Sequence, residues 1–345
     1  MSTHADDGWK RILIDVGRTV GDHLAGAEDG VLFYGYDTLA YPDKEVDLVA
    51  RLRLLEGLID IPGVTLGFYL DDKLLGKAVT DDDGRATVSW RPPRQGDYSL
   101  RVKVLEKPRN QEKDFTALTP ARLFVAARPK DTLLAIVDLD HTVVQSGFAR
   151  VLLGGAQPMP HSQDVLKRLS TNHTIIYLTH RPNLLSNKSK NWLIDNGFVR
   201  GPLLMSELAD AFGDSGKFKT ARLKALRETF PNVQLGIGDK LSDAAAYATN
   251  GVTAYLIPHY DDKPKSMRNM ATELAVLRRS VDKEEHLNVV GGWKEIERGI
   301  FEDKRYPAET YIKSLRSRAE RRSTDRGWFW EAWDDDDEEE EDDDD

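Results

Sequence analysis

The sequence predicts an α/β protein built on a doubly wound parallel sheet and preceded by an all-β sandwich. Three observations predict it. From residue 128 onward, short apolar runs of strand length alternate with segments of helical spacing, the pattern that βαβ units leave in a sequence. Between residues 30 and 127, apolar and polar residues instead alternate with the two-residue period of half-buried strands. A chain of 345 residues is also long for a single core. The expected organisation is a helical segment at 1–29, a sandwich at 30–127, an α/β domain at 128–310 and a disordered tail at 311–345.

In the first segment, Trp9, Ile12, Leu13, Val16, Val20 and Leu24 recur at helical spacing, with Lys10, Arg11, Asp15 and Arg18 between them. A helix packed on one of the domains is the expected reading. A membrane-surface helix is the alternative, because such helices also set a Trp-bearing face beside basic residues.

In the sandwich region, Leu48, Ala50, Leu52 and Leu54 fall on one face of a strand and Val49, Arg51 and Arg53 on the other. Asp71-Asp72-Lys73 and Asp81-Asp82-Asp83-Gly84-Arg85 read as polar turns between short strands, and Pro92-Pro93 and Gly96-Asp97 precede a final strand pair. Asp81 to Tyr98 resembles bacterial immunoglobulin-like repeats, in which a strand, an Asp-Gly turn, a strand, Pro-Pro and Gly-Asp-Tyr follow in that order. No site chemistry stands out there, so an accessory or positioning role is expected.

In the α/β region the predicted strands are Leu133–Val137, Thr174–Leu178, Pro202–Met205, Val233–Ile237 and Thr253–Ile257. The predicted helices are Ser162–Ser170, Asn183–Asn196, Lys219–Thr229 and Ser242–Asn250. After Pro307 the pattern decays. Lys313, Arg316, Arg318, Arg321, Arg322 and Arg326 stand against Glu320 and Asp325, followed by Trp328, Phe329, Trp330, Trp333 and an unbroken acidic run from Asp334 to Asp345. Like charges in such runs repel, which is why this tail is expected to be disordered.

The net charge of −10 comes from that run. Of 58 acidic residues, removing the twelve from Asp334 onward leaves 46 against 48 basic ones, so no affinity for nucleic acid is expected. The chain contains no cysteine, which excludes disulfides, thiolate metal sites and cysteine nucleophiles. The first residues lack the basic head and apolar run of a signal peptide. No stretch approaches the roughly 20 apolar residues of a membrane span, so a cytoplasmic protein, at most peripheral to a membrane, is expected.

Chemistry is expected beyond the carboxyl ends of the parallel strands, where open α/β sheets bind ligands. Four polar clusters fall there. Asp138, Asp140 and Thr142 follow the first strand within Asp138-Leu139-Asp140-His141-Thr142. Two carboxylates so spaced can act on one phosphorus centre, Asp138 as nucleophile forming an aspartyl-phosphate and Asp140 as general acid and then base. Thr179, in Thr179-His180-Arg181-Pro182, can hydrogen-bond a phosphoryl oxygen or cap the following helix. A lysine after Gly216, either Lys217 or Lys219, can neutralise the transferring phosphoryl group. Asp239 and Asp243, in Gly238-Asp239-Lys240-Leu241-Ser242-Asp243, suit a hard cation such as Mg²⁺, shared with Asp138 and the main-chain carbonyl of Asp140. Thr142, His141, His180 and Arg181 are candidate substrate contacts, with pairing to a nearby carboxylate the alternative for Arg181.

In this order the clusters resemble the motifs of the haloacid dehalogenase superfamily: Asp-x-Asp-x-Thr, a strand-end Thr or Ser, a Lys, and Gly-Asp-x-x-x-Asp. The resemblance covers roughly residues 131–258. Tyr177-Leu178-Thr179-x-Arg181, Gly201-Pro202-Leu203-Leu204 and Phe218-Lys219-Thr220 look like the catalytic domains of lipins and actin-patch phosphatidate phosphatases. Their Phe-Lys pairing implies Lys219 as the motif lysine. The chain departs from lipins in keeping Gly-Asp-x-x-x-Asp intact, and it lacks their long N-terminal portions.

Between Thr142 and Thr179 lie 36 residues, and between Thr179 and Lys219 lie 39. The predicted strands and helices use most of them, which leaves no room for a large cap. The expected function is a Mg²⁺-dependent phosphomonoesterase, with a phospholipid at a membrane surface as the substrate class the resemblance implies. Phosphoproteins, nucleotides, nucleic acid ends and soluble metabolites are alternative substrates. A non-catalytic lipid- or protein-binding module is the rival function, since similar domains of phosphatidylinositol-transfer proteins have lost the catalytic aspartates. Asp138 and Asp140 are both present here.

Overall fold

The computed structural model describes residues 27–107, 113–147, 151, 155–281 and 286–325. The helix predicted near the N-terminus, the aromatic cluster at 328–333 and the acidic run lie outside them.

The sandwich pairs a three-stranded sheet with a five-stranded one. Strands β1 (Val31–Gly35), β3 (Val46–Leu54) and β6 (Arg85–Trp90) run antiparallel in the order β1-β3-β6. The second sheet has the order β2-β8-β7-β4-β5, from β2 (Thr38–Ala40), β4 (Thr65–Leu70), β5 (Lys73–Val79), β7 (Gly96–Glu106) and β8 (Ala121–Ala127). The predicted Asp71-Asp72 turn joins β4 to β5, with Asp71 at φ +52°. Gly84 is required where it stands: φ is +68°, and a Cβ would lie 2.3 Å from the carbonyl oxygen of Leu52. Leu48, Ala50, Leu52, Phe68, Val102 and Leu123 fill the space between the sheets. Arg51, which the alternation places on the outer face of β3, is nevertheless buried, because that face is covered by the α/β domain.

The α/β domain is organised around six parallel strands in the order β11-β10-β9-β12-β13-β14. They are β9 (Leu134–Val137), β10 (Thr174–Pro182), β11 (Leu203–Ser206), β12 (Val233–Gly238), β13 (Thr253–Leu256) and β14 (Leu287–Val289). All four residues of β9 are buried, as a central strand covered on both faces requires. Helices α1 (Ser162–Leu169), α2 (Ser186–Asp195) and, later in the chain, Trp293–Phe301 pack on one face through Val165, Leu166, Leu193, Trp293 and Ile296. Helices α3 (Ser215–Thr229), α4 (Leu241–Thr249) and α5 (Pro264–Ser280) cover the other through Leu223, Tyr247, Met267, Ala271 and Leu274. The helix Trp293–Phe301 is α6. No large cap interrupts the described connections. Among the described residues, no helix is long and apolar enough to cross a membrane.

One expectation is corrected. Ala308–Asp325 forms α7, which starts before residue 311 and runs into the segment 311–345 that the charge run assigns to a disordered tail. Ile312, Leu315 and Ala319 make a buried stripe on α5 and β14, while the basic residues occupy the remaining faces. The α/β domain thus extends past residue 310.

The two domains are joined by polar contacts as well as apolar ones. Lys190 on α2 pairs with Asp37 at 2.7 Å and donates to the carbonyls of Gly35 (2.8 Å) and Arg122 (3.0 Å). Its three donors meet three acceptors, the condition for burying an ammonium group. Asn187, also on α2, donates to the carbonyl of Phe33.

Candidate active site

Sheet register assembles the site. Val137 is aligned with Tyr177 on one side and Ile237 on the other. Asp138 therefore leaves the sheet beside Thr179, two residues past Tyr177, and Asp239, two residues past Ile237. The backbone N–H of Asp138 donates to the Ile237 carbonyl at 2.9 Å, which fixes the start of the loop Asp138-Leu139-Asp140-His141-Thr142. Within that loop His141 adopts φ +53°, a left-handed conformation that costs a non-glycine residue about 1–2 kcal/mol and is characteristic of functional turns.

Helix α3 brings in the lysine. Its N-cap is Asp214, whose side chain accepts from the Lys217 backbone N–H at 2.8 Å. The helix thus begins four residues before the predicted start at Lys219. Lys217 is exposed, whereas Lys219 is buried and its ammonium group lies 2.8 Å from Asp138 and 2.6 Å from Asp243. Lys219 is the lysine inside the site. Asp243 comes from the first turn of α4 and approaches because Gly238 has no side chain: a Cβ there would lie 2.8 Å from Asp243 Oδ2.

Asp138, Asp239 and Asp243 each place a carboxylate oxygen within 4.8 Å of the others. Oδ1 of Asp239 and Oδ1 of Asp243 are buried without a hydrogen-bond partner. Three hard carboxylate donors, two of them with an unsatisfied oxygen, fit a Mg²⁺-like cation. The carboxylate of Asp140 is not one of this group.

Electrostatics follow from burial. Removal from water raises the Asp138 carboxyl above its ordinary range, with Lys219 opposing. Asp239 is raised well above that range, by burial first and by the Asp138 and Asp243 charges next. For Lys219, burial favours the neutral form, but Asp138 and Asp243 outweigh it and hold the ammonium well above its ordinary value.

The remaining predicted residues separate. Thr179 is buried at the splayed end of β10, and its hydroxyl faces the Arg181 backbone N–H at 3.4 Å. Of the two readings of Arg181, pairing with a nearby carboxylate is the one observed: it forks onto Asp140, with Nε donating to Oδ2 at 2.9 Å and Nη2 to Oδ1 at 2.5 Å. Thr142, expected as a substrate contact, is fully enclosed. Its carbonyl accepts from the Trp293 indole at 2.7 Å, so its place is in the loop's foundation. His180 meets the Asp210 carbonyl through Nε2 at 2.9 Å. His141 stacks on His259, with ring centroids 4.3 Å apart.

Trp293, Ser189 and His259 escape the sequence reading. Ile257-Pro258-His259 directly follows a predicted strand and was the one legible signal among them, since strand ends are where the other clusters lie.

Comparison with protein families matches the α/β domain. The model described as PITM 1-3, LNS2 domain fits residues 135–257, a domain of the haloacid dehalogenase-like, lipin-type fold. The matched segment runs from within β9 to just past β13 and includes Asp138, Thr179, Lys219, Asp239 and Asp243. Comparison with curated proteins finds no match. Among solved structures, the D00-D0 domain of intimin is 16% identical over 28% of this chain and 46% of its own, with a TM-score of 0.22. The Lin-41 filamin domain is 16% identical over 29% of this chain and 94% of its own, at 0.20. The β-glucuronidase of Parabacteroides merdae is 13% identical over 73% of this chain and 33% of its own, at 0.27. The chain spans about half the length of the intimin fragments it matches. Superpositions this loose carry no functional argument.

Proposed function

We propose that the chain is a Mg²⁺-dependent phosphomonoesterase working through an aspartyl-phosphate on Asp138. The observation that carries this reading is the convergence of Asp138, Lys219, Asp239 and Asp243 in one buried cluster at the carboxyl end of the sheet. An ion pair placed only for stability has no need of three carboxylates around one ammonium group, since such a cluster is costly to bury.

Asp138 attacks phosphorus, and the phosphoryl group passes from the substrate oxygen to the carboxylate. Asp140 gives a proton to the departing oxygen. In the second step it takes one from the water that cleaves the acyl-phosphate. Thr179 and Lys219 stand where they can bind phosphoryl oxygens. Asp138, Asp239 and Asp243 would hold the cation, whose chemistry is to screen the repulsion between an anionic nucleophile and an anionic substrate.

The substrate class we favour is a phospholipid with a terminal phosphate, reached at a membrane surface. The LNS2 match, the lipin-like wording and the absence of a large cap among the described residues support it. Purified protein should release phosphate with Mg²⁺ from an aryl phosphate and, among lipid, sugar, nucleotide and phosphopeptide panels, preferentially from the lipid. Asp138→Asn should abolish release. Liposome binding that is equal in the two proteins, with no turnover on any panel, would instead favour the binding module.

A further inference from the structure

The fork between Arg181 and Asp140 points to a residue whose work is to aim the general acid. Arg181 is 4% exposed. Two of its nitrogens engage both carboxylate oxygens of Asp140, and Nη1 donates to the Ser189 hydroxyl at 3.0 Å. A guanidinium used in this way is turned toward the acid rather than toward the Asp138, Asp239 and Asp243 cluster. Bidentate geometry fixes a carboxylate in rotation as well as in position, which a single hydrogen bond does not.

The anchors behind Arg181 lead to the other domain. Ser189 precedes Lys190 on α2, and Lys190 is held by Asp37, Gly35 and Arg122 of the sandwich. Asn183, two residues beyond Arg181, donates to Glu207 at 3.1 Å. Glu207 in turn pairs with Arg51 at 3.2 Å and Arg85 at 3.0 Å, both on sandwich strands. Two independent routes therefore run from the sandwich to the segment carrying Arg181.

We propose that Arg181 is a positioning residue that sets the direction of the Asp140 carboxyl, and that the sandwich serves the reaction by bracing it. The proposal rests on the phosphomonoesterase reading. Proton donation counts most when the departing oxygen is strongly basic, so misdirecting Asp140 should injure poor leaving groups selectively.

The test compares phenyl phosphate, a poor leaving group, with 2,4-dinitrophenyl phosphate, a good one, in the full-length chain with Mg²⁺. For Arg181→Gln, kcat/KM on phenyl phosphate, which reports only the steps through phosphoryl transfer to Asp138, should fall by about 10²-fold, the scale of general acid catalysis, while kcat/KM on the dinitrophenyl ester changes by less than about 3-fold. Arg181→Lys, which keeps the charge without the fork, should recover part of the phenyl phosphate rate. Ser189→Ala should show the same bias more weakly, and it carries the test if the Arg181 variants do not fold. Equal losses of kcat/KM on both esters, or no loss on either, would each overturn the proposal. A wild-type protein inactive on both esters, or one whose activity survives Asp138→Asn, would overturn the underlying reading instead.

Discussion

At the scale of the residue, the site is a problem in charge. Without a cation, Asp138, Asp239 and Asp243 share the charges of Lys219 and Lys240, and Lys219 bonds Asp138 and Asp243 but not Asp239. Asp239 is accordingly raised well above the ordinary carboxyl range, by burial first and then by its two carboxylate neighbours. The sign follows from linkage. A carboxyl raised in the folded state contributes fully below its unfolded value of about 3.9, and that contribution is lost as pH rises through the folded value. Metal-free protein should lose thermal stability from about pH 4 upward, and Mg²⁺ should restore it most at the alkaline end. Melting curves at about pH 5 and pH 8 check this: the Mg²⁺-induced rise in Tm should be larger at pH 8 and should collapse in Asp239→Asn. A rise equal at both pH values would contradict the charge account. Much of this site was legible as residue types, because Asp138, Thr179 and Asp239 each follow a recognisable strand. For Arg181 the sequence left two directions open, toward phosphate or toward a carboxylate. Whether a guanidinium faces phosphate or carboxylate depends on side-chain packing with Ser189, which spacing does not encode.

At the scale of the element, the parallel strands were legible because each is a short apolar run with a polar cluster at its end. Helix α7 was not, because Lys313, Arg316, Arg318, Arg321 and Arg322 mask the three-residue stripe Ile312, Leu315 and Ala319. A few apolar residues at helical spacing suffice when α5 provides the complementary groove, and tertiary packing then overrides like-charge repulsion. Some of that repulsion is also removed by pairing, as in Arg278 with Glu309 and Arg322 with Asp262. Leu315 is fully buried, so Leu315→Ala should cost about 2–5 kcal/mol, read as a lower urea midpoint with an unchanged slope. A cost under about 1 kcal/mol would mean that α7 is not part of the folded domain. Helix α6 was likewise unread, yet its Trp293 holds the Thr142 carbonyl and so supports the catalytic loop from below.

At the scale of the whole molecule, the sandwich looked from its sequence like an accessory, since no site chemistry stands out in it. Its relation to the site arises from contacts between residues more than 150 positions apart, such as Arg51 with Glu207 and Asn187 with Phe33. No local pattern reports such pairs. The buried Lys190–Asp37 pair, satisfied by backbone carbonyls, ties the sandwich to α2 of the α/β domain. All of this turns on a covalent intermediate at one carboxylate. The most direct test is to quench turnover in acid, reduce with borohydride and map the peptides. An aspartyl-phosphate on Asp138 is converted to homoserine at position 138, which is the predicted result in wild-type protein and should be absent from Asp138→Asn. Homoserine at another aspartate, or turnover with no modified residue, would contradict the account.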